Sequence, residues 1–522
     1  MSGTFFWGRS SEECKNLNNI GRGIAKRCNG LPLAAKVLGS LLRFKNTKEW
    51  ESVLESELWK VEEAEKGLFP PLLLSYYDLS PLVRRCFSYC AIFPKDYEME
   101  KDELIKLWMA QGFFGETGSR DMEDIGEECY RSLVMRSLFQ EEYLQLTFRT
   151  IVKMHDIVHD FAQFLTENEC SVMEVNSPEE SRFDFPHGRV RHLSTSIPTS
   201  IFSAKDLRSL IVKNSFDHQR DRTKLLPILL FAQLTCLRSL DLYYYSLFLE
   251  IPSEIGNLIH LRYLNLAYNY GLRVLPERLY DLFNLQSLNL YNCNIERLPR
   301  GLGNLINLRH LELGHGDLHF MPRGIGRCTS LRTLSKFVVS SSEDAASTGE
   351  LENLNHLRGH LEIIGLGKVK DANEAKKAQL DKKKHVKTLI LDFGKHEGRE
   401  RNDGQVMEAI QPPPNLEKLV IKYYRGSSLF PDTTSSSSPI IMLPCLRVLE
   451  IRDCPNLMAL PDQLLQATSL ETLSIIDCYD LAQRYFRKGW AGGKDWHKIS
   501  HIPYINTNTS VGPVGRVVQF DR

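Results

Sequence analysis

At 522 residues the chain is longer than one hydrophobic core usually supports, so two or three packed units are expected. Its 65 basic and 65 acidic side chains cancel, which leaves no global field to draw in nucleic acid or an anionic membrane surface. No segment approaches the ~18 uninterrupted apolar residues of a membrane-crossing helix, and the cluster Phe5-Phe6-Trp7 is too short for a secretion signal.

The twelve cysteines are scattered, with no Cys-x-x-Cys pair, which fits reduced thiols in the cytoplasm, with the nucleus as the alternative compartment. Cys86 and Cys90 stand one helical turn apart and read as two buried thiols on one face. No metal site is expected.

In chain order, Leu17, Ile20, Ile24 and Cys28 form one apolar helical stripe. Gly30 suits a left-handed residue after that helix, and Pro32 suits the first turn of the next, whose buried face is Leu33, Val37, Leu38 and Leu41. Further helices are predicted at Leu72-Leu73-Leu74, around Cys86 to Cys90, from Glu103 to Gln111, and where Met122, Ile125, Cys129 and Leu133 share a face. Residues 143–154 alternate as a hairpin does.

Helices followed by a hairpin outline a winged-helix domain, which raises the question of DNA. Eleven acidic residues lie between Asp96 and Glu128, and phosphate binding needs the opposite sign, so no direct DNA binding is expected. His155-Asp156-Ile157-Val158-His159 spaces two histidines as metalloprotease helices do. Those helices carry Glu where this chain has Asp156, whose shorter arm would misplace a general base, and no third ligand is evident. No catalytic residue is assigned and the chain is not expected to be an enzyme.

From Leu234 onward a leucine pattern recurs: Leu234/Leu237/Leu240/Leu242, Leu258/Leu261/Leu264/Leu266, Leu282/Leu285/Leu288/Leu290 and Leu305/Leu308/Leu311/Leu313, starting 24, 24 and 23 residues apart. That spacing is the signature of a leucine-rich repeat, one short strand and a return segment per unit. Each unit closes on Ile251-Pro252, Leu275-Pro276, Leu298-Pro299 or Met321-Pro322, where proline fixes φ for the turn towards the convex side.

A weaker array continues at Leu416/Leu419/Ile421, Leu443/Leu446/Leu449/Ile451 and Leu470/Leu473/Ile475, and a less regular one precedes at Leu207/Leu210/Val212. Residues 371–384 should form a solvated outer helix leading into a strand at Val386, Leu389 and Leu391. Trp490, Trp496, Ile499, Ile502 and Pro503 are expected to cover the last repeat.

In such a solenoid the leucines point inward and the intervening positions face the concave surface. The expected partner-binding residues there are Arg238, Asp241, Tyr243, Arg262, Tyr263, Asn265, Tyr268, Gln286, Asn289, Tyr291, Arg309, His310, Glu312 and His315. A ladder of Tyr, Arg and His has the composition of protein-protein hot spots.

Gly30-Leu31-Pro32-Leu33-Ala34, then Cys86-Phe87-Ser88-Tyr89-Cys90-Ala91-Ile92-Phe93-Pro94, then Met154-His155-Asp156, ahead of leucine-rich repeats, resemble the plant coiled-coil-type disease-resistance proteins and their NB-ARC module. The resemblance implies an α/β chain: a helical ARC remnant at 1–70, a winged-helix domain at 71–170 ending in Met-His-Asp, a leucine-rich-repeat horseshoe at 171–505 with insertions near 340–348 and 426–440, and a flexible tail at 506–522.

It also implies an intracellular immune receptor whose repeats recognise a pathogen effector or a guarded host protein and restrain an ADP/ATP switch. In that reading Pro32 contacts adenine and ribose, and His155 reaches the β-phosphate of ADP. Gly30, Leu31, Leu33, Met154 and Asp156 support the switch. The family's phosphate-binding loop, Gly-x-x-x-x-Gly-Lys-Ser/Thr, does not occur in these 522 residues, so independent ATP hydrolysis is not expected and ADP is the family's ligand before it is this chain's. The competing expectation is a nucleotide-independent interaction module, a decoy or regulator that pairs with full-length receptors.

Overall fold

A computed structural model of the chain describes residues 11–43, 45–60, 69–115, 120–144, 149–166, 169–173, 190–195, 201–202, 204–212, 225–245, 249–314, 316–395, 402–429, 443–465, 469–487, 490–508 and 518–519. His315, most of the expected insertion at 426–440 and most of the tail lie outside the described residues. The chain packs as two compact units: residues 1–215 with 236–241, and residues 216–235 with 242–522.

Unit 1 opens with α1 (Ser11–Arg27) and α2 (Pro32–Leu42). Asn29 (φ 49°) and Gly30 (φ 77°) turn the chain between them, and Pro32 opens α2 at a position that has no N–H to satisfy. α3 (Thr47–Glu55) begins with a reciprocal capping box, Glu49 N–H to Asn46 Oδ1 at 3.1 Å and Asn46 N–H to Glu49 Oε2 at 2.8 Å, which satisfies two backbone donors at the helix start. The three helices close on Leu17, Ile24, Leu38, Leu41, Trp50 and Val53. Trp50 Nε1 donates to the Leu42 carbonyl at 3.0 Å, so the indole enters that core with its polar atom satisfied.

There follow α4 (Pro70–Tyr77), α5 (Pro81–Tyr89), α6 (Lys101–Gln111), α7 (Met122–Met135) and α8 (Asp156–Leu165). Strands β1 (Met99–Glu100), β2 (Gln140–Leu144) and β3 (Arg149–Lys153) form an antiparallel sheet in the order β1-β3-β2. Phe161 is the centre of the packing, with ring centroids 5.5 Å from Phe69, 5.9 Å from Tyr76 and 6.0 Å from Phe87. A Cβ on Gly126 would stand 2.4 Å from Ile105 Cγ2, so glycine is what lets α7 approach α6.

The last part of unit 1 is a parallel ladder, β4 (Cys170–Met173), β5 (His192–Thr195), β6 (Ser209–Val212) and β7 (Ser239–Asp241).

Unit 2 holds β8 (Tyr263–Asn265), β9 (Ser287–Leu290), β10 (His310–Leu313) and β11 (Thr333–Leu334), which bring Leu264, Leu288, Leu311 and Leu334 into one register. Pro252, Pro276 and Pro299 each cap a short 3-10 helix on the return path, as the proline spacing predicts. A second parallel ladder joins β12 (Lys336–Val338), β13 (Arg358–Ile364), β14 (His385–Asp392), β15 (Lys418–Lys422), β16 (Val448–Arg452) and β17 (Thr472–Ile476).

Three expectations are revised. The solvated helix at 371–384 is only Ala372–Lys377; Gln379 turns left-handed (φ 46°), a 3-10 turn follows, and Lys383 is fully buried. Residues 504–508, expected partly as tail, form a strand paired in parallel with β17, so the chain adds a rung beyond the expected cap.

The cysteines are not all scattered, either. Asn269, Cys293, Cys454 and Cys478 occupy one repeat position, three residues after the second strand leucine or isoleucine. Asn269 Nδ2 donates to Leu242 O at 3.0 Å and Cys293 Sγ to Leu266 O at 2.9 Å, each satisfying a carbonyl of the preceding repeat.

Candidate functional site

Two places collect the residues singled out above. The first is the pair of helix starts in unit 1. Pro32 is exposed at the head of α2, Gly30 holds the left-handed turn before it, and Leu31 and Leu33 are half-buried.

His155 caps α8: its Nδ1 accepts from the Ile157 N–H at 3.3 Å, while Met154 below it is buried and Asp156 beside it is exposed. With Nδ1 accepting, Nε2 is the ring nitrogen left to donate. An exposed N–H donor over a helix N-terminus is suited to an anionic oxygen. His159 serves elsewhere: it is buried, and its Nε2 meets the Phe93 carbonyl at 2.8 Å. That contact commits His159 Nε2 to the backbone.

The helices that carry Pro32 and the winged-helix elements are joined by polar contacts. Ser40 and Ser137 hydroxyls meet at 2.8 Å, and Asp78 at the end of α4 takes Lys45 at 2.6 Å and Arg136 on its other oxygen. Burial opposes ionisation of Asp78, but the hydrogen bonds from Lys45 and Arg136 outweigh it and hold the carboxyl below its ordinary range.

The second place is a tyrosine ridge in unit 2. Tyr243 and Tyr268 rings lie 5.1 Å apart, Tyr268 and Tyr291 5.8 Å, Tyr244 and Tyr270 6.2 Å, and Tyr268 and Tyr270 6.1 Å. Tyr243 is 47 % exposed, Tyr244 36 % and Tyr270 49 %. Tyr244 (φ 55°) and Tyr268 (φ 64°) sit in the left-handed region, unusual for bulky residues, and their N–H groups donate to the carbonyls of Ala267 and Tyr291 in the next repeat. The turn that leaves each strand thus fixes the rings on one edge, where they are rigid and half-solvated.

The remaining strand-face residues divide. Tyr263, Asn265 and His310 are buried, Asn265 Oδ1 accepting from Ala267 N–H at 3.0 Å and His310 Nδ1 meeting Thr333 Oγ1 at 3.1 Å. Arg262, Gln286, Asn289, Arg309 and Glu312 are half-buried, with Asn289 Oδ1 accepting from Tyr291 N–H at 3.0 Å. Arg238 and Asp241 belong to unit 1, where Arg238 donates to the Gln111 carbonyl at 2.7 Å.

Sequence reading missed Tyr244 and Tyr270, although Tyr243-Tyr244-Tyr245 and the recurrence of tyrosine one repeat later were visible. It also missed Tyr89, which is buried and reaches Ser209 Oγ at 3.3 Å and Ser239 Oγ at 3.4 Å, tying α5 to β6 and β7.

With the geometry in hand, comparison with known proteins adds ancestry. Residues 92–162 match the family described as "Disease resistance protein Winged helix domain", residues 348–478 match "R13L1/DRL21 LRRs", and residues 284–305 match "Leucine Rich Repeat". The chain is similar to "Putative disease resistance protein RGA1" of Solanum bulbocastanum, 36 % identical over 460 residues, covering 87 % of this chain and 43 % of that one. It is similar to "Putative disease resistance RPP13-like protein 1" of Arabidopsis thaliana at 38 % identity, covering 86 % of this chain and 44 % of that one. The chain spans less than half the length of these relatives.

Proposed function

From the premise that the chain belongs to the plant disease-resistance proteins, we propose that it works in an intracellular immune receptor and that its repeats recognise a protein, either a pathogen effector or a guarded host protein. The observation that carries this reading is the tyrosine ridge. Tyr243, Tyr244, Tyr268, Tyr270 and Tyr291 offer large, rigid, amphipathic area on a hydrogen-bonded frame, which is what protein hot spots need. The role is binding and signalling rather than catalysis. The cysteines among the described residues are free thiols, which suits a reducing compartment, the cytoplasm or nucleus.

The finer reading adds a nucleotide. Pro32 would meet adenine and ribose, and His155 Nε2–H together with the start of α8 would meet the β-phosphate of ADP. ADP supplies the state signal when bound, and the chain's part is to hold it and to transmit the change through the Ser40–Ser137 and Lys45–Asp78–Arg136 contacts. The specific observation favouring the second reading, a nucleotide-independent interaction module, is the tyrosine ridge, whose geometry needs no nucleotide.

Calorimetric titration of the chain with ADP, beside His155→Ala, separates the two. Saturable binding lost in the variant supports the switch; no binding leaves the interaction module. Proximity labelling in infected and healthy leaf tissue tests the ridge. An identical labelled set for wild type and Tyr243→Ala/Tyr268→Ala would overturn partner recognition by the tyrosines.

A further inference from the structure

Unit 1 contains a cavity of about 670 Å³ whose walls come from α5, the ends of α6 and α8, and the residues that lead into β4 to β7. Five guanidinium-bearing residues line it, Arg84, Arg85, Arg191, Arg208 and Arg238, against one carboxylate, Glu169. Three of these arginines are stacked by the fold itself. Arg208 N–H donates to Arg191 O at 2.7 Å and Arg238 N–H to Arg208 O at 2.7 Å, so the three occupy one position on successive strands. Neighbouring strands lie ~4.8 Å apart, and like charges placed opposite one another on such a ladder destabilise it.

Glu169, on the rung before, answers Arg191 at 3.7 Å. Arg84 meets this ladder from α5, with its guanidinium carbon 6.0 Å from the Tyr76 ring and its buried Nε without a hydrogen-bond partner. His192 also lines the cavity, packed edge-on to Tyr89 at 5.1 Å. Burial, and then the charges of Arg208, Arg191 and Arg238, push its imidazole down to about 3, so the ring stays neutral and adds no cation of its own.

We propose that this cavity is a binding site for a compact anion carrying several phosphate groups. Guanidinium forks bind phosphate oxygens bidentately, and forks arriving from a helix on one side and a strand ladder on the other can engage several phosphates on one scaffold. The volume lies within the usual range for small-molecule sites. Bound there, the anion cross-links α5 to the strand ladder, reinforcing the tie already made by Tyr89. The site is separate from His155 and does not depend on the nucleotide reading.

The test is calorimetry of the 522-residue chain with inorganic tripolyphosphate, against Arg85→Gln and the double variant Arg191→Gln/Arg208→Gln. Far-UV circular dichroism confirms that each variant is folded. One saturable site is expected, weakened at least tenfold by Arg85→Gln, lost in the double variant, weakened by added salt, and unchanged in His155→Ala and in the surface control Arg278→Gln. Arg85 is exposed, so its variant keeps the test decisive if the double variant unfolds.

Phosphatidylcholine vesicles with and without a bisphosphorylated inositol lipid distinguish the source. Sedimentation with the charged vesicles that fails in Arg85→Gln assigns a lipid headgroup, and tripolyphosphate binding without sedimentation assigns a soluble ligand. No saturable binding, binding indifferent to the cavity variants, or binding of poly-glutamate in place of tripolyphosphate would each overturn the proposal.

Discussion

In unit 2 one contact is made repeatedly: Leu264, Leu288, Leu311 and Leu334 stand in register, strand against strand. In the helical part of unit 1 the contacts are each of a different kind. Phe161 packs on Phe69, Tyr76 and Phe87, Gly126 makes room for Ile105 between α6 and α7, and Asp78 bridges Lys45 and Arg136. A repeated contact makes stability a sum of nearest-neighbour terms, so damage stays local; a contact made once makes it a property of the whole unit.

The largest expected effect tests that contrast directly. Phe161→Ala removes the ring at the centre of unit 1 and should cost roughly 3–5 kcal/mol, with amide-exchange protection lost across α4, α5 and α8 together. Leu288→Ala should cost roughly 2–5 kcal/mol, but exchange should rise only in β8, β9, β10 and their return segments. Hydrogen-exchange mass spectrometry reads both. Uniform loss through unit 2 in Leu288→Ala would contradict the nearest-neighbour picture.

Lys383 sharpens the comparison from the repeat side. Its Nζ is buried and donates to Leu351 O at 2.8 Å and Asn355 Oδ1 at 3.4 Å, and burial lowers its pKa from the ordinary 10.5 to about 8. The unfolded chain therefore holds more protons than the folded one between about pH 8 and pH 10.5, so this residue's contribution makes the repeats more stable as pH rises through that window. The rise should reach up to about 3 kcal/mol and disappear in Lys383→Met, as read by denaturant melts of both proteins across the window.

Asp78→Asn should cost unit 1 about 1 kcal/mol, because the bridge to Lys45 and Arg136 is only partly sheltered from water. With the folded pKa depressed, that stabilisation is present above the ordinary carboxylate range and fades as pH falls through the folded value. A wild-type minus variant difference that stays constant on acidification would show that the bridge carries no linkage.

The smallest stability change is expected at the tyrosine ridge. Tyr243→Ala should destabilise unit 2 by no more than about 1 kcal/mol, since the ring is half-solvated and its pairings with Tyr244 and Tyr268 lie at the surface. A larger shift would make the ridge part of the scaffold rather than a surface held ready for a partner.

The 23- and 24-residue leucine spacing, the Pro252, Pro276 and Pro299 turns, and the Gly30-Leu31-Pro32 junction were all legible in the sequence, because each is written within a window of about one repeat or two helical turns. The helix starts at Pro32 and His155 belong to the same class, since capping needs only neighbours three or four residues away. Which side chains beside the strand leucines reach solvent was not legible: Tyr263, just before Leu264, is buried, while Tyr243, just after Leu242, is exposed.

Lys383 gave no signal either, since a lysine among Lys382, Lys383 and Lys384 reads as solvated until a left-handed residue at Gln379 turns it inward. The meeting of Arg84 and Arg85 with Arg191, Arg208 and Arg238 requires chain segments some 150 residues apart to close on one cavity. Local periodicity determines the elements and their register; only the closure of distant segments decides which charges are brought together.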